Sequence, residues 1–162
     1  QLMFLRKIDE TEWIKFIMNS FQRTGKEIST EDAGLIVEKV KSHSWYVQQL
    51  SHFVWSATRK AVTVEIVDKA FSQIVNTNLP LYVAECEALS IAQLNLLIAI
   101  AKGESILTGA TTMSKYKLGT PQNVSKNKIV LEQKDILDKT VEGFYFLDPV
   151  FEFWFKSEYV DG

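Results

Sequence analysis

The chain has 162 residues, 46% of them hydrophobic, and a formal net charge of −2. That is enough apolar material for one substantial core or two small ones, and the near-neutral balance excludes a protein that coats nucleic acid by bulk charge, leaving only a local basic patch. The single cysteine, Cys86, excludes an internal disulfide, and no stretch approaches the roughly 18 apolar residues of a membrane span. A reducing, cytoplasmic setting without a membrane partner is expected.

Gln1 is not a start residue, and Leu2-Met3-Phe4-Leu5 lacks the basic n-region and cleavage site of a signal peptide. The run reads as the last strand of a preceding domain, with residues 1–8 as its remnant, or as a strand left without its sheet. A first helix is expected over 9–25: Asp9 and Glu12 stand in capping-box spacing, Trp13, Phe16, Ile17 and Phe21 share a stripe, and Gly25 stops it. A second opens at Ser29, with Ala33, Ile36, Val37 and Val40 on one face, and ends near Ser42. A third runs from Ser44 to about Thr58, where Val47, Leu50 and Val54 recur at helical spacing. Thr63 caps a fourth, whose inner stripe is Ile66, Val67, Ala70, Phe71 and Ile74. Four helices joined by short connections make a small bundle.

Asn76-Thr77-Asn78-Leu79-Pro80 is polar and ends in proline, so the helix is expected to break there and a second domain to begin, dividing the chain into 1–78 and 79–162. In the second part, residues 81–88 suit a short helix. Ser90 caps an apolar one from Ile91 to Ala101, and Gly103 closes it. Residues 111–118 suit another short helix, and after a turn at Gly119, Thr120-Pro121 starts a longer one with proline at its first position. This is a helix-turn-helix. Ile136-Leu137 and Phe144-Tyr145-Phe146-Leu147 flank a turn at Glu142-Gly143 and read as the two strands of a wing, after which Asp148-Pro149 starts a last helix with Phe151, Trp154 and Phe155. The expected fold is mainly α: a four-helix bundle followed by a winged helix.

Three local motifs in this order resemble the prokaryotic AAA-type/STAND-like P-loop ATPases over nearly the whole chain. Lys7-Ile8-Asp9 followed by Trp13-Ile14-Lys15-Phe16-Ile17 is similar to that family's passage from the P-loop core into its helical lid. Ser42-His43-Ser44-Trp45-Tyr46-Val47-Gln48-Gln49-Leu50 resembles its Gly-His-Pro-Tyr-Tyr-Val-Gln-Gln-Leu signature, and Phe146 to Trp154 its Asp-Pro-containing closing motif. The resemblance implies an AAA-type lid over 1–78, with Ser42, His43, Trp45 and Tyr46 facing nucleotide. It also implies a preceding P-loop domain in the same polypeptide, with ATP and Mg as that parent's cofactors. Ser42 and Ser44 stand where the family has glycine and proline. No G-x-x-x-x-G-K-[ST] occurs, so this chain by itself is expected to bind no cofactor and to be no enzyme.

His43 suits either a phosphate sensor or a capping or packing histidine, and Trp45 and Tyr46 either flank adenine or pack the core. His43, His52 and Cys86 lack metal-ligand spacing. In the helix-turn-helix, Ala110 to Val130 carries Lys115, Lys117, Lys126 and Lys128 and no acidic residue, whereas residues 79–162 carry 8 basic and 11 acidic residues. Were DNA the partner, Gln122, Asn123, Ser125, Lys126 and Asn127 would meet base edges and the lysines phosphates. A winged helix also serves as a protein-interaction module. The alternative to the ATPase reading is a stand-alone winged-helix transcription regulator with a helical interaction domain.

Overall fold

A computed structural model describes residues 8–161, so the expected terminal strand of the P-loop core falls outside the described residues. The chain divides into two units between Thr77 and Asn78.

In the first unit, α1 (Glu10–Arg23), α2 (Thr30–Lys39), α3 (Ser44–Ala57) and the first half of α4 (Val64–Glu87) form a bundle. The helices start where short polar side chains can serve the free N–H groups of a first turn. The Asp9 carboxylate accepts from the Thr11 N–H at 3.3 Å, the Ser29 hydroxyl from the Asp32 N–H at 3.0 Å, and the Thr63 hydroxyl from the Ile66 N–H at 3.4 Å. Trp13, Ile17 and Phe21 of α1, Ile36 and Val37 of α2, Leu50 and Val54 of α3, and Val67 and Ile74 of α4 are buried. The loop after α1 is pinned to the loop after α3 by a parallel bridge between Glu27 and Ala61. Lys26 covers the Trp55 ring at 4.0 Å, and the Trp55 indole donates to the Thr24 hydroxyl at 2.9 Å.

The break expected at Asn76–Pro80 does not occur: α4 is one helix of 24 residues with Pro80 inside it. Proline there removes one N–H and crowds the preceding turn, at a cost of about 3 kcal/mol relative to alanine. The helix persists because apolar residues are buried on both sides of Pro80, namely Ile74 and Val75 before it and Tyr82 and Cys86 after it. Residues 76–81 are exposed or half-buried through more than a full turn, so the polar Asn76, Thr77 and Asn78 mark a solvated stretch of continuous helix.

The second unit takes the end of α4, then α5 (Ile91–Ala101), α6 (Ala110–Tyr116), α7 (Pro121–Gln133), strands β1 (Leu137–Thr140) and β2 (Gly143–Phe146), and α8 (Pro149–Tyr159). A complete capping box between Ser90 and Gln93 starts α5, and α6, α7 and α8 pack around that helix. The strands pair antiparallel from Leu137 opposite Phe146 to Thr140 opposite Gly143, about one residue displaced from the expected positions. This arrangement, mainly helical with one hairpin among the described residues, is that of a winged helix.

Its core is aromatic. Phe151 lies 5.2 Å from Tyr82, 6.0 Å from Phe146, 5.8 Å from Trp154 and 5.7 Å from Phe155, measured between ring centroids. α8 therefore closes against the end of α4 and the wing as well as against α5. Burial pushes the Cys86 thiol up to about 11, which makes it an inert packing group.

Two measurements check this packing. Trp154, 8% exposed and in contact with Tyr82, Phe151 and Tyr159, should cost about 3–5 kcal/mol when replaced by alanine; a loss below about 1 kcal/mol in urea unfolding, typical of a surface site, would contradict it. Glu85, half-buried on α4, has its carboxyl raised above the usual range by desolvation and then by the Asp148 charge. A raised carboxyl pKa stabilises the fold at low pH and ceases to do so as pH rises through the folded value. Glu85→Gln should therefore unfold at higher temperature than the parent at neutral pH and match it under acid conditions, where both forms are neutral.

Candidate functional site

Two places in the chain carry candidate functional residues, one in each unit. The first is the corner between α2 and α3. There α2 ends in a Schellman-type closure, with the Ser42 N–H donating to the Val37 carbonyl and the Lys41 N–H to the Glu38 carbonyl, both at 3.0 Å. Such closures suit glycine because the capping residues are left-handed. Here they are Lys41 with φ 49° and Ser42 with φ 57°. His43 then takes an extended conformation, φ −69° and ψ 112°, as the N-cap of α3, and Ser44 is the first residue of that helix. Glycine at 42 would relieve a left-handed Cβ, and proline at 44 would sit at a helix position that tolerates it, preceded by a residue already extended.

The corner thus keeps the backbone that glycine and proline would shape, although it has neither. His43 does not cap α3 through its side chain, and its Nδ1 is buried with no hydrogen-bond partner among the described residues. Its ring lies 5.1 Å from that of Tyr46. Tyr46 is buried in the core while Trp45 is 67% exposed, so the two neighbouring aromatics point to different environments. The 14-residue α3 thus starts without a capping side chain, at the end where the helix dipole is positive.

The second place is the helix-turn-helix. The turn between α6 and α7 places Lys117 at φ 54° and Gly119 at φ 81°. A Cβ on Gly119 would come within 2.7 Å of the Asn123 amide nitrogen, so glycine there also allows a close approach. Thr120 caps α7, accepting from the Asn123 N–H at 3.3 Å. Gln122, Asn123, Ser125 and Lys126 are exposed on α7, and Asn127 and Lys128 are half-buried. Lys115 is engaged instead, in an ion pair with Glu104 at 2.9 Å whose carboxylate also accepts from the Tyr116 hydroxyl. Those two hydrogen bonds hold the Glu104 carboxyl below its ordinary range, with the Lys115 bond the larger. Lys128 and Lys139 lie 5.5 and 5.9 Å from the Phe144 ring on the wing.

Two features of this face have no signal of their own in the sequence. Ile129, 53% exposed, sits on α7 one turn beyond Lys126, and Val141 at the wing tip is fully exposed. Ile129 is legible in the sequence only as a member of the apolar run Ile129-Val130-Leu131, and Val141 only as a lone apolar residue between Thr140 and Glu142. The acidic residues of the wing also lie beyond the basic stretch: from 121 to 147 four lysines face four acidic residues, Glu132, Asp135, Asp138 and Glu142. The basic stretch ends before the wing does. Among the described residues no helix is long and apolar enough to cross a membrane, and no group of His, Cys, Asp or Glu is arranged to hold a metal.

The α2–α3 corner can be checked by substitution. Ser44→Pro should raise stability by about 0.4–1 kcal/mol, the usual gain for proline at a compatible position. Ser42→Val should lower it by roughly 1–2 kcal/mol because a β-branched side chain is forced into the left-handed region. Equal unfolding midpoints for the two variants would mean that the backbone described for this corner is wrong.

Comparison with known families bears on the second unit. A family model described as a probable winged helix domain matches residues 80–157, from Pro80 in α4 to Ser157 in α8. No curated protein matches the chain. Fold and family model agree: the part of the chain from the end of α4 through α8 is similar to a winged helix domain in sequence and consistent with one in its order of helices and hairpin.

Proposed function

We propose that the chain is the regulatory C-terminal part of an ATP-binding AAA/STAND-type ATPase. In this reading the helical unit is a lid that closes over nucleotide held by a preceding P-loop domain, and the winged helix passes that state to a partner. The observation that carries the proposal is the α2–α3 corner, where an α3 N-terminus without a capping side chain adjoins His43, whose Nδ1 is buried and unpartnered. Anions gather at helix N-termini because free N–H groups and the dipole both favour them. A histidine beside such an end can report a terminal phosphate when the lid closes and water leaves. Chemistry stays with the P-loop domain, since these residues hold neither its phosphate cradle nor its lysine.

The winged helix fits a protein partner better than a DNA duplex. Phosphate contacts supply most of the affinity for DNA, yet α7 and the wing are charge-balanced, Lys115 is paired, and Ile129 and Val141 offer apolar surface. A face whose charges balance lacks the positive field that a duplex needs, and the exposed apolar residues on it are compatible with a protein partner. One observation keeps the stand-alone transcription regulator in view: Gln122, Asn123, Ser125 and Lys126 are all solvent-facing on α7.

Both parts are testable in the complete polypeptide read from its gene. A G-x-x-x-x-G-K-[ST] motif should lie upstream of Gln1 in the same reading frame, and its absence would overturn the ATPase reading. With the 162 residues alone, Mg-ATP should not be turned over. In the complete protein His43→Ala should lower turnover tenfold or more, about 1.4 kcal/mol, with an unchanged melting temperature. Unaltered turnover would remove the sensor role. Sequence-selective, salt-sensitive duplex binding that Lys126→Ala weakens would favour the transcription-regulator reading instead.

A further inference from the structure

Four cations from two distant stretches of sequence are brought together in the first unit. Arg23 closes α1 and Lys26 follows the turn at Gly25, where φ is 73°. Arg59 and Lys60 follow the end of α3. The parallel bridge joins the two stretches through their backbones, the Glu27 N–H donating to the Lys60 carbonyl at 2.8 Å and the Val62 N–H to the Glu27 carbonyl at 2.9 Å. The Lys26 ammonium donates to the Trp55 carbonyl in the last turn of α3. Arg23, Arg59 and Lys60 are exposed and Lys26 is half-buried. None of the four has a carboxylate within ion-pair distance among the described residues.

Local structure neutralises only part of this charge. Cations are favoured where helices end, because each C-terminus carries about half a negative charge, and α1 and α3 both end here. Those two ends and the Glu27 carboxylate offset about two of the four charges and leave about two in excess. Beside the cations opens a cleft of about 240 Å³ whose walls include Phe21, Thr24, His52 and Trp55. It is smaller than the roughly 300–1,000 Å³ of small-ligand pockets, and so takes a single inserted side chain. The cleft and the cations share residues: Thr24 follows Arg23, and the Trp55 ring has the Lys26 ammonium over it at 4.0 Å.

We propose that this surface binds an acidic segment of a protein partner, which inserts an apolar side chain into the cleft and sets neighbouring carboxylates on Arg23, Arg59 and Lys60. Charge complementarity decides the sign of the occupant. The planar fork of arginine matches a carboxylate with two parallel hydrogen bonds, and the two arginines of the described residues, Arg23 and Arg59, both lie here. Nucleic acid has the same sign but fits less well. Single-strand binders add aromatic faces on which bases stack, whereas the Trp55 ring already carries Lys26 and has His52 stacked on it with centroids 6.1 Å apart. Duplex affinity grows with the number of phosphates neutralised, and three exposed cations around Glu27 neutralise few.

This inference does not rest on the ATPase reading, whose failure shows in turnover rather than in peptide binding. The test is fluorescence anisotropy of the 162-residue chain with a fluorescein-labelled peptide in which one central leucine is flanked on each side by a run of aspartates. The peptide should bind saturably below millimolar concentration. Arg23→Gln and Arg59→Gln should each weaken it at least fivefold with unchanged unfolding midpoints. Lys15→Gln, an exposed position about 12 Å before Arg23 along α1, should leave affinity within twofold, and a peptide with serine in place of the leucine should bind at least threefold more weakly. No saturable binding by the parent chain overturns the proposal. So does an affinity that either arginine variant leaves unchanged or that Lys15→Gln lowers as much, a serine peptide that binds equally well, or a labelled DNA duplex held more tightly than the peptide by the same arginines. Should an arginine variant fail to fold, Lys60→Gln takes its place with the same expected loss.

Discussion

The packing of Phe151 against four other aromatic rings is the contact on which the winged-helix unit depends. It joins α8 to Tyr82 at the end of α4 and to Phe146 on the wing, and α8 in turn packs on α5. Aromatic pairs at these distances add directional preference to their area burial, so the cluster sets where the hairpin sits as well as how tightly the unit holds. Asp148 supports it from the backbone side, accepting the Val150 and Phe151 N–H groups at 2.8 and 2.9 Å and so starting α8 at the residue the cluster needs. The exposed side of α7 and the wing tip are presented on that scaffold. Their function is a matter of surface chemistry laid over a packing solution.

The same separation explains what is legible in the sequence. Helix starts are readable because Asp9, Ser29, Thr63, Ser90, Thr120 and Asp148 announce themselves by residue type, and in the structure each sits at the head of a helix. Pro80 misleads because a proline rule describes local cost, while the persistence of α4 is decided by burial of Tyr82 and Cys86 beyond it. The wing strands are displaced by about one residue because Phe144 to Leu147 reads as uniformly apolar, and the register comes from the two-residue turn between Thr140 and Gly143. Nothing in the sequence sets Glu85 apart from Glu87, and only three-dimensional packing reveals its half-burial and the charge of Asp148 acting on it.

The candidate sites are legible to different degrees. Ser42 to Ser44 can be singled out as a motif, but their left-handed and extended conformations are backbone facts that residue type hides, since serine and lysine are unusual at positive φ. Lys115 and Lys126 read alike in sequence, yet Glu104 claims the first and solvent the second. The orphaned atoms of His43, Gln49 and Ser51 have no sequence signature at all.

A nucleotide-facing α3 start is the central claim, and it is most directly examined by hydrogen exchange of the complete polypeptide with and without Mg-ATP. The amides of Ser44 and Trp45, within the segment Ser42 to Val47, lie in the first turn of α3 at the proposed phosphate-facing end, where N–H groups have no intrahelical partner. Nucleotide should slow exchange in this segment at least tenfold while leaving the amides of α7 unchanged or affected less. Exchange at Ser42 to Val47 that is indifferent to a nucleotide known to be bound would contradict it.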